Sequence, residues 1–198
     1  TLGNKCIQNF AKNKIATVIK HIPGHGLSTY DTHNRTGVVF KDKRYLENND
    51  FIPFKYCNTF FAMTAHIIYK KIDPYFTATH SKKIIEEIIR KKIGFKGIIM
   101  SDDISMKSLK YSLKENTIRA LDAGCNLILH CNGKMNEMKK LVKIVPEVDN
   151  LTKSKIDSIV IFPIVETQAL LISDDFSRGV YLRGYENDDI INKKIISK

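Results

Sequence analysis

Four short apolar runs rich in β-branched residues recur along the chain: Lys14–Ile19 (KIATVI), Ala62–Tyr69 (AMTAHIIY), Gly97–Met100 (GIIM) and Asn126–His130 (NLILH). Each has the length and composition of a buried strand. Helical patterns fill the intervals. Lys82–Lys92 (KKIIEEIIRKK) repeats apolar residues three and four apart, and Ser81 ahead of it can serve as an N-cap. Ser105–Leu121 and Lys134–Ile144 read the same way, and Arg44–Tyr56 is a helical stretch interrupted by Pro53. Strands that alternate with helices need crossover connections, so the strands are expected to be parallel and the fold class α/β. After Ile159 the alternation stops, and the remaining segment carries no βα repeat.

With 198 residues, 43% of them apolar, the chain can fill a sizeable core. Its 32 basic and 21 acidic residues leave a formal charge of +11. The lysines are spread along the whole chain, with no aromatic ladder between them and no nucleic-acid-binding motif, which describes a solvated surface rather than a nucleic-acid interface. Cys6, Cys57, Cys125 and Cys131 form no C-x-x-C pair, so neither a zinc site nor a redox motif is indicated, and their sparse use fits a reducing compartment. No apolar run approaches the roughly 18 to 20 residues that span a bilayer. No signal-like segment opens the sequence as given.

Titratable residues collect where the expected strands end. Lys20 and His21 follow the first, His66 falls near the end of the second, Ser101-Asp102-Asp103 follow the third, and Cys131-Asn132 follow the fourth. Parallel α/β folds gather ligands and catalytic groups at this edge, which favours an enzyme over a scaffold.

Two stretches carry the chemistry. In KHIPGHGLSTYDTH, Lys20 to His33, His21 and His25 stand four apart, as in a two-histidine zinc helix. Pro23 and Gly24 lie between them and oppose a helix, and no glutamate adjoins His21, so no metal site is expected. In Asp31-Thr32-His33, an extended backbone lets the Asp31 carboxylate orient the His33 ring and raise its basicity, whereas an Asx-type turn leaves the histidine merely exposed. The triplet alone fits both. In GFKGIIMSDDISM, Gly94 to Met106, Asp102 at a strand end can act as a nucleophile or as a helix cap, and Asp103 or Ser105 reads as the cap of the next helix.

KHIPGHG with D-T-H, then MTAHI, GFKGIIMSDDISM and AGCNLILHCNG in that order resemble glycoside hydrolase family 3, specifically the bacterial β-N-acetylglucosaminidases of the NagZ type. The resemblance runs from about Ile15 to Asp157. It implies a (β/α)8 barrel of the TIM type and a retaining glycosidase that works through a covalent glycosyl-enzyme without a cofactor or a metal. By the same resemblance Asp102 matches the nucleophile, His33 the general acid/base and Asp31 its partner. Lys20 and His21 match residues that hold sugar hydroxyls, and Pro23, Gly24, His25 and Gly26 match the turn from which the acid/base loop springs. The implied substrate is a glycan or muropeptide with terminal β-linked N-acetylglucosamine, turned over in the cytoplasm during peptidoglycan recycling. Neither nucleic acid nor a membrane span is implied.

Three departures from the family pattern stand out. Thr64 replaces a usual proline, the acid/base triplet reads D-T-H where D-S-H is usual, and no counterpart of the N-terminal half of the barrel is present. The expected domains are therefore residues 1–159, a C-terminal half-barrel, and 160–198, an unassigned tail. The missing half becomes a possible partner of the chain. An inactive fragment of such an enzyme, or a related sugar phosphorylase, is the competing expectation.

Overall fold

The computed structural model describes residues 1–13, 15–28, 32, 35–159, 164–173 and 176–185. In chain order it contains α1 (Leu2–Lys12), β1 (Val18–Ile22), β2 (Gly37–Val39), α2 (Lys43–Asn48), α3 (Ile52–Lys55), β3 (Phe61–Thr64) and β4 (Ile67–Tyr69). A 3-10 turn (Ala78–His80) and a π-wound helix (Ile84–Ile93) follow, then β5 (Ile98–Asp103), α4 (Leu113–Ala123), β6 (Leu127–Leu129), α5 (Met135–Val142), α6 (Asn150–Ile159), β7 (Ile164–Ser173) and β8 (Phe176–Tyr185). The chain divides into two compact units, Thr1–Thr152 and Lys153–Lys198.

The larger unit is built on a four-stranded sheet in the order β1-β3-β5-β6, parallel throughout. The α/β class expected from the alternation is therefore the class observed. β5 lies inside the sheet, and its first four residues, Ile98 to Ser101, are all buried, as a parallel strand covered on both faces requires. β2 and β4 form a separate parallel pair. In the smaller unit β7 and β8 make an antiparallel hairpin with Ser173 opposite Phe176, where the sequence offers no βα repeat.

The core joins the sheet to the π-wound helix. Ile84, Ile85, Ile88, Ile89 and Ile93 are buried with Ala62, Ile99 and Ala120 in one cluster. The buried positions 84, 88 and 93 are spaced by four and then five residues, so the wider winding keeps them on one face. Ser81 caps this helix, its hydroxyl accepting the Ile84 N–H at 3.1 Å. Gly94 ends it in the left-handed region, at φ 81°.

Arg90 leaves the same helix to brace the entry of the sheet. It donates to the carbonyls of Phe95 (3.0 Å) and Gly97 (2.7 Å) and to Asn126 Oδ1 (3.0 Å). Asn126 Oδ1 also accepts the Ile99 N–H at 2.9 Å, which ties the start of β6 to β5.

Several boundaries differ from the sequence reading. The first strand is Val18–Ile22 rather than Lys14–Ile19, so Lys20 and His21 belong to the strand instead of following it. The expected strand Ala62–Tyr69 is two strands in two sheets. The ladder reaches Ala65, whose N–H donates to the Ile22 carbonyl, and it breaks at His66, whose ring turns inward to buried partners. The helix expected from Ser105 begins at Leu113, because Ser112 is the residue whose hydroxyl accepts the Glu115 N–H. Arg44–Tyr56 is two short helices, with Pro53 at the first turn of the second. The helix Leu2–Lys12 and the strand Gly37–Val39 have no counterpart in the sequence reading.

Candidate active site

The carboxyl ends of β1, β3, β5 and β6 bring the candidate residues to one edge of the sheet. β1 supplies Lys20 and His21, and β5 supplies Asp102 and Asp103 at its last two positions. Across the intervening strand, His21 Nε2 lies 3.5 Å from Asp102 Oδ2. Four residues on, the His25 ring stacks obliquely against His21, with centroids 5.2 Å apart. His25 Nε2 and the Thr32 hydroxyl form a hydrogen bond of 3.1 Å, and Thr32 is buried. Pro23 and Gly24 lie between these two histidines and Gly26 follows the second, and the peptide bonds Lys20–His21 and Ile22–Pro23 are cis. Asp31 and His33, the expected acid/base pair, lie outside the described residues.

Burial sets the charge of this edge. It pulls the His21 pKa below its ordinary value against the opposing attraction of Asp102. A neutral imidazole can donate to or accept from a ligand hydroxyl without permanently neutralising the carboxylate beside it. Asp102 is held from below as well, its Oδ1 accepting the Asp103 N–H at 2.8 Å.

Asp103 does not cap the following helix, contrary to the sequence expectation. Its carboxylate accepts the Ser105 N–H (3.0 Å), the Ser105 hydroxyl and the Cys131 N–H (3.1 Å), which fastens the turn after β5 to the end of β6. The helix is capped by Ser112 instead, because residues 104 to 111 are spent on this turn.

His66 supports the floor. It is buried, and its Nε2 lies 3.0 Å from the Asp103 carbonyl, which can only accept. Nε2 therefore carries the proton, and Nδ1 accepts from the Thr79 hydroxyl at 2.7 Å. The Thr64 hydroxyl completes the chain by bonding to Thr79 Oγ1 at 2.8 Å. Burial lowers the His66 pKa, in keeping with a neutral ring in both bonds. The sequence pointed to His66 by its place near a strand end. Thr79 gave no such signal, since it lies in a 3-10 turn 13 residues away.

Asp50, between α2 and α3, is a second residue the sequence reading passed over. A Cβ on Gly24 would come within 2.3 Å of Asp50 Oδ2, so the turn approaches this carboxylate as only glycine allows. Asp50 falls within the stretch Arg44–Tyr56 that the sequence reads as a helix interrupted by Pro53, and nothing local marks the contact. Among the described residues, no group of three or more histidine, cysteine, aspartate or glutamate side chains is placed to hold a metal ion.

Residues 1–161 match the model of the glycosyl hydrolase family 3 N-terminal domain. The chain belongs to glycosyl hydrolase family 3. Its family 3 relatives include the β-hexosaminidase of Nitrosomonas eutropha, 38% identical over 123 residues that cover 60% of this chain and 35% of that protein. The β-hexosaminidase of Haemophilus ducreyi is 33% identical over 147 residues, covering 71% and 42%. Among solved structures, the family 3 β-N-acetylglucosaminidase of a Paenibacillus species superposes with a TM-score of 0.69 at 26% identity, over 80% of this chain and 32% of that one. NagZ from Neisseria gonorrhoeae in complex with N-trifluoroacetyl-D-glucosamine gives 0.67 at 27%, over 77% and 44%. The family 3 chain thus spans less than half the length of these relatives.

Proposed function

We propose that residues 1–159 are the part of a retaining β-N-acetylglucosaminidase that carries its nucleophile and its acid/base. The observation that carries this reading is the approach of His21 to Asp102, 3.5 Å apart at the carboxyl edge of a parallel sheet, in a family 3 chain. In the first step Asp102 attacks the anomeric carbon, and the glycosidic bond breaks as His33 gives its proton to the departing oxygen. In the second step the imidazole of His33, oriented by Asp31, takes a proton from water. That water attacks the glycosyl-enzyme and frees Asp102. Lys20 and His21 grip hydroxyls of the bound sugar.

Relatives named β-hexosaminidase and a neighbour solved with an N-acylated glucosamine support a substrate ending in β-linked N-acetylglucosamine. Muropeptides of cytoplasmic peptidoglycan recycling are our choice within that class. The complementary half of the family barrel is the partner this reading calls for, and residues 160–198 receive no role in it.

Release of 4-nitrophenol from its N-acetyl-β-glucosaminide tests the proposal, with the chain alone and with the complementary half-barrel of a relative. Turnover is expected in at least the second case and is expected to vanish in Asp102→Ala. An Asp102→Ala chain with undiminished turnover would remove the nucleophile assignment, and no turnover in either case would remove the hydrolase reading.

A further inference from the structure

We propose that Asp50 is a positioning residue of this site. Its carboxylate, seated against Gly24, holds the Pro23–Gly26 turn so that His25 links the nucleophile side to the acid/base loop at Thr32. The kinetic consequence rests on the glycosidase reading, whereas the geometry stands without it.

Two side chains from outside the four-stranded sheet converge on one glycine. Tyr69, fully buried on β4, donates its hydroxyl to the Gly24 carbonyl. From the α2–α3 connection, Asp50 brings Oδ2 to where a Cβ of Gly24 would stand, and Oδ1 to 3.7 Å from where the Cβ of Gly26 would stand. Phe51 anchors this connection. It is buried, its N–H donates to the Leu46 carbonyl at 3.0 Å, and its ring meets Tyr69 edge to face at 6.1 Å. The turn is therefore held at the Gly24 carbonyl by Tyr69 and closely approached by the Asp50 carboxylate.

The carboxylate is an expensive choice for a spacer. Asp50 Oδ2 is buried and has no hydrogen-bond partner among the described residues, a cost that an apolar side chain of similar size would not carry. What the carboxylate adds is an electrostatic field at His25. Burial raises the Asp50 pKa, and the charge of His25 draws it back down, so the two groups sense each other. His25 in turn touches both halves of the machinery, the His21 ring at 5.2 Å and the Thr32 hydroxyl at 3.1 Å. Thr32 stands between Asp31 and His33 in the sequence, so His25 is bonded to the residue next to the proposed proton donor.

The test uses the full 198-residue chain and two independent readouts. In the first, the carboxyl carbon of Asp50 is titrated by NMR in the wild type and in His25→Gln. The Asp50 titration is expected to move to higher pH in the variant, because the charge that lowered it is gone, and an unmoved titration overturns the link. In the second, Asp50→Asn keeps the shape and removes the charge. It is expected to lower kcat on the aryl N-acetyl-β-glucosaminide by about 10²-fold, as a displaced catalytic group does. KM should stay unchanged and the pH–rate profile should shift. Asp50→Glu should recover part of the loss. Gly24→Ala, which drives a methyl group into the carboxylate, should reproduce it. Equal losses in Asn and Glu with an unmoved pH profile would mark a merely structural residue and overturn the proposal. A wild-type chain that turns over no substrate, alone or complemented, strikes the glycosidase reading and with it the kinetic role of Asp50, and the NMR titration still decides the Asp50–His25 link.

Discussion

Burial disfavours charge on an imidazole even where the ring donates to a carbonyl, and it outweighs that bond at both His66 and His80. His80 Nε2 donates to the Asn116 carbonyl at 3.2 Å, and burial, aided by the positive charge of nearby groups, pulls its pKa down to about 4. In the unfolded chain the same group titrates near 6.5, so as the pH falls the unfolded state takes up the proton first. The stability contributed by neutral His80 is complete above pH 6.5 and is lost between 6.5 and about 4. The difference corresponds to roughly 3 kcal/mol at most. Urea unfolding across that range should therefore show a steep loss of stability in the wild type and a shallower one in His80→Gln. His66 pushes in the same direction. Both histidines are visible in the sequence, but neither their tautomer nor their neutrality is. Those depend on Asp103 and Asn116, 37 and 36 residues away. Asp102 was legible for a different reason, since a strand that ends in acidic residues exposes them at the carboxyl edge whatever surrounds it.

The elements show where periodicity succeeds and where it slips. The pattern KKIIEEIIRKK located the helix 84–93 and Ser81 its cap, because both signals are local. The winding was not legible, because it answers to the surface under the helix, where five isoleucines meet the sheet. Ile88 is fully buried in that contact, and Ile88→Ala is expected to destabilise the fold by about 2–5 kcal/mol in chemical denaturation. A markedly smaller value would mean that the helix does not seal the core as described. Strand ends slipped for a similar reason. KIATVI is apolar enough for a strand, but the parallel register pairs Val18 with Phe61 and carries the ladder on to Ile22 and Thr64. The strand therefore ends at the edge where His21 meets Asp102 and not before it. Helix α4 begins eight residues later than expected because the turn in front of it is consumed by Asp103, Ser105 and Cys131.

At the scale of the whole molecule, the four-stranded sheet has two unpaired edges among the described residues, β1 and β6. Edge strands leave backbone groups without ladder partners and open more readily than interior ones. Amide exchange in β1 and β6 should therefore be faster than in β3 and β5. A complementary half-barrel should slow it at both edges, and indifference at both would argue that the half-barrel does not dock there. The sequence by itself determined the α/β class, the succession of parallel strands and the family, because alternating periodicities and short motifs are properties of neighbouring residues. Only the tertiary structure decided that His21 faces Asp102 across a strand, that His66 is a proton-donating floor under Asp103, and that Asp50 sits against Gly24. Each of these joins residues from separate elements, and their meeting depends on strand order, register and the close approach of backbones, which no local pattern records.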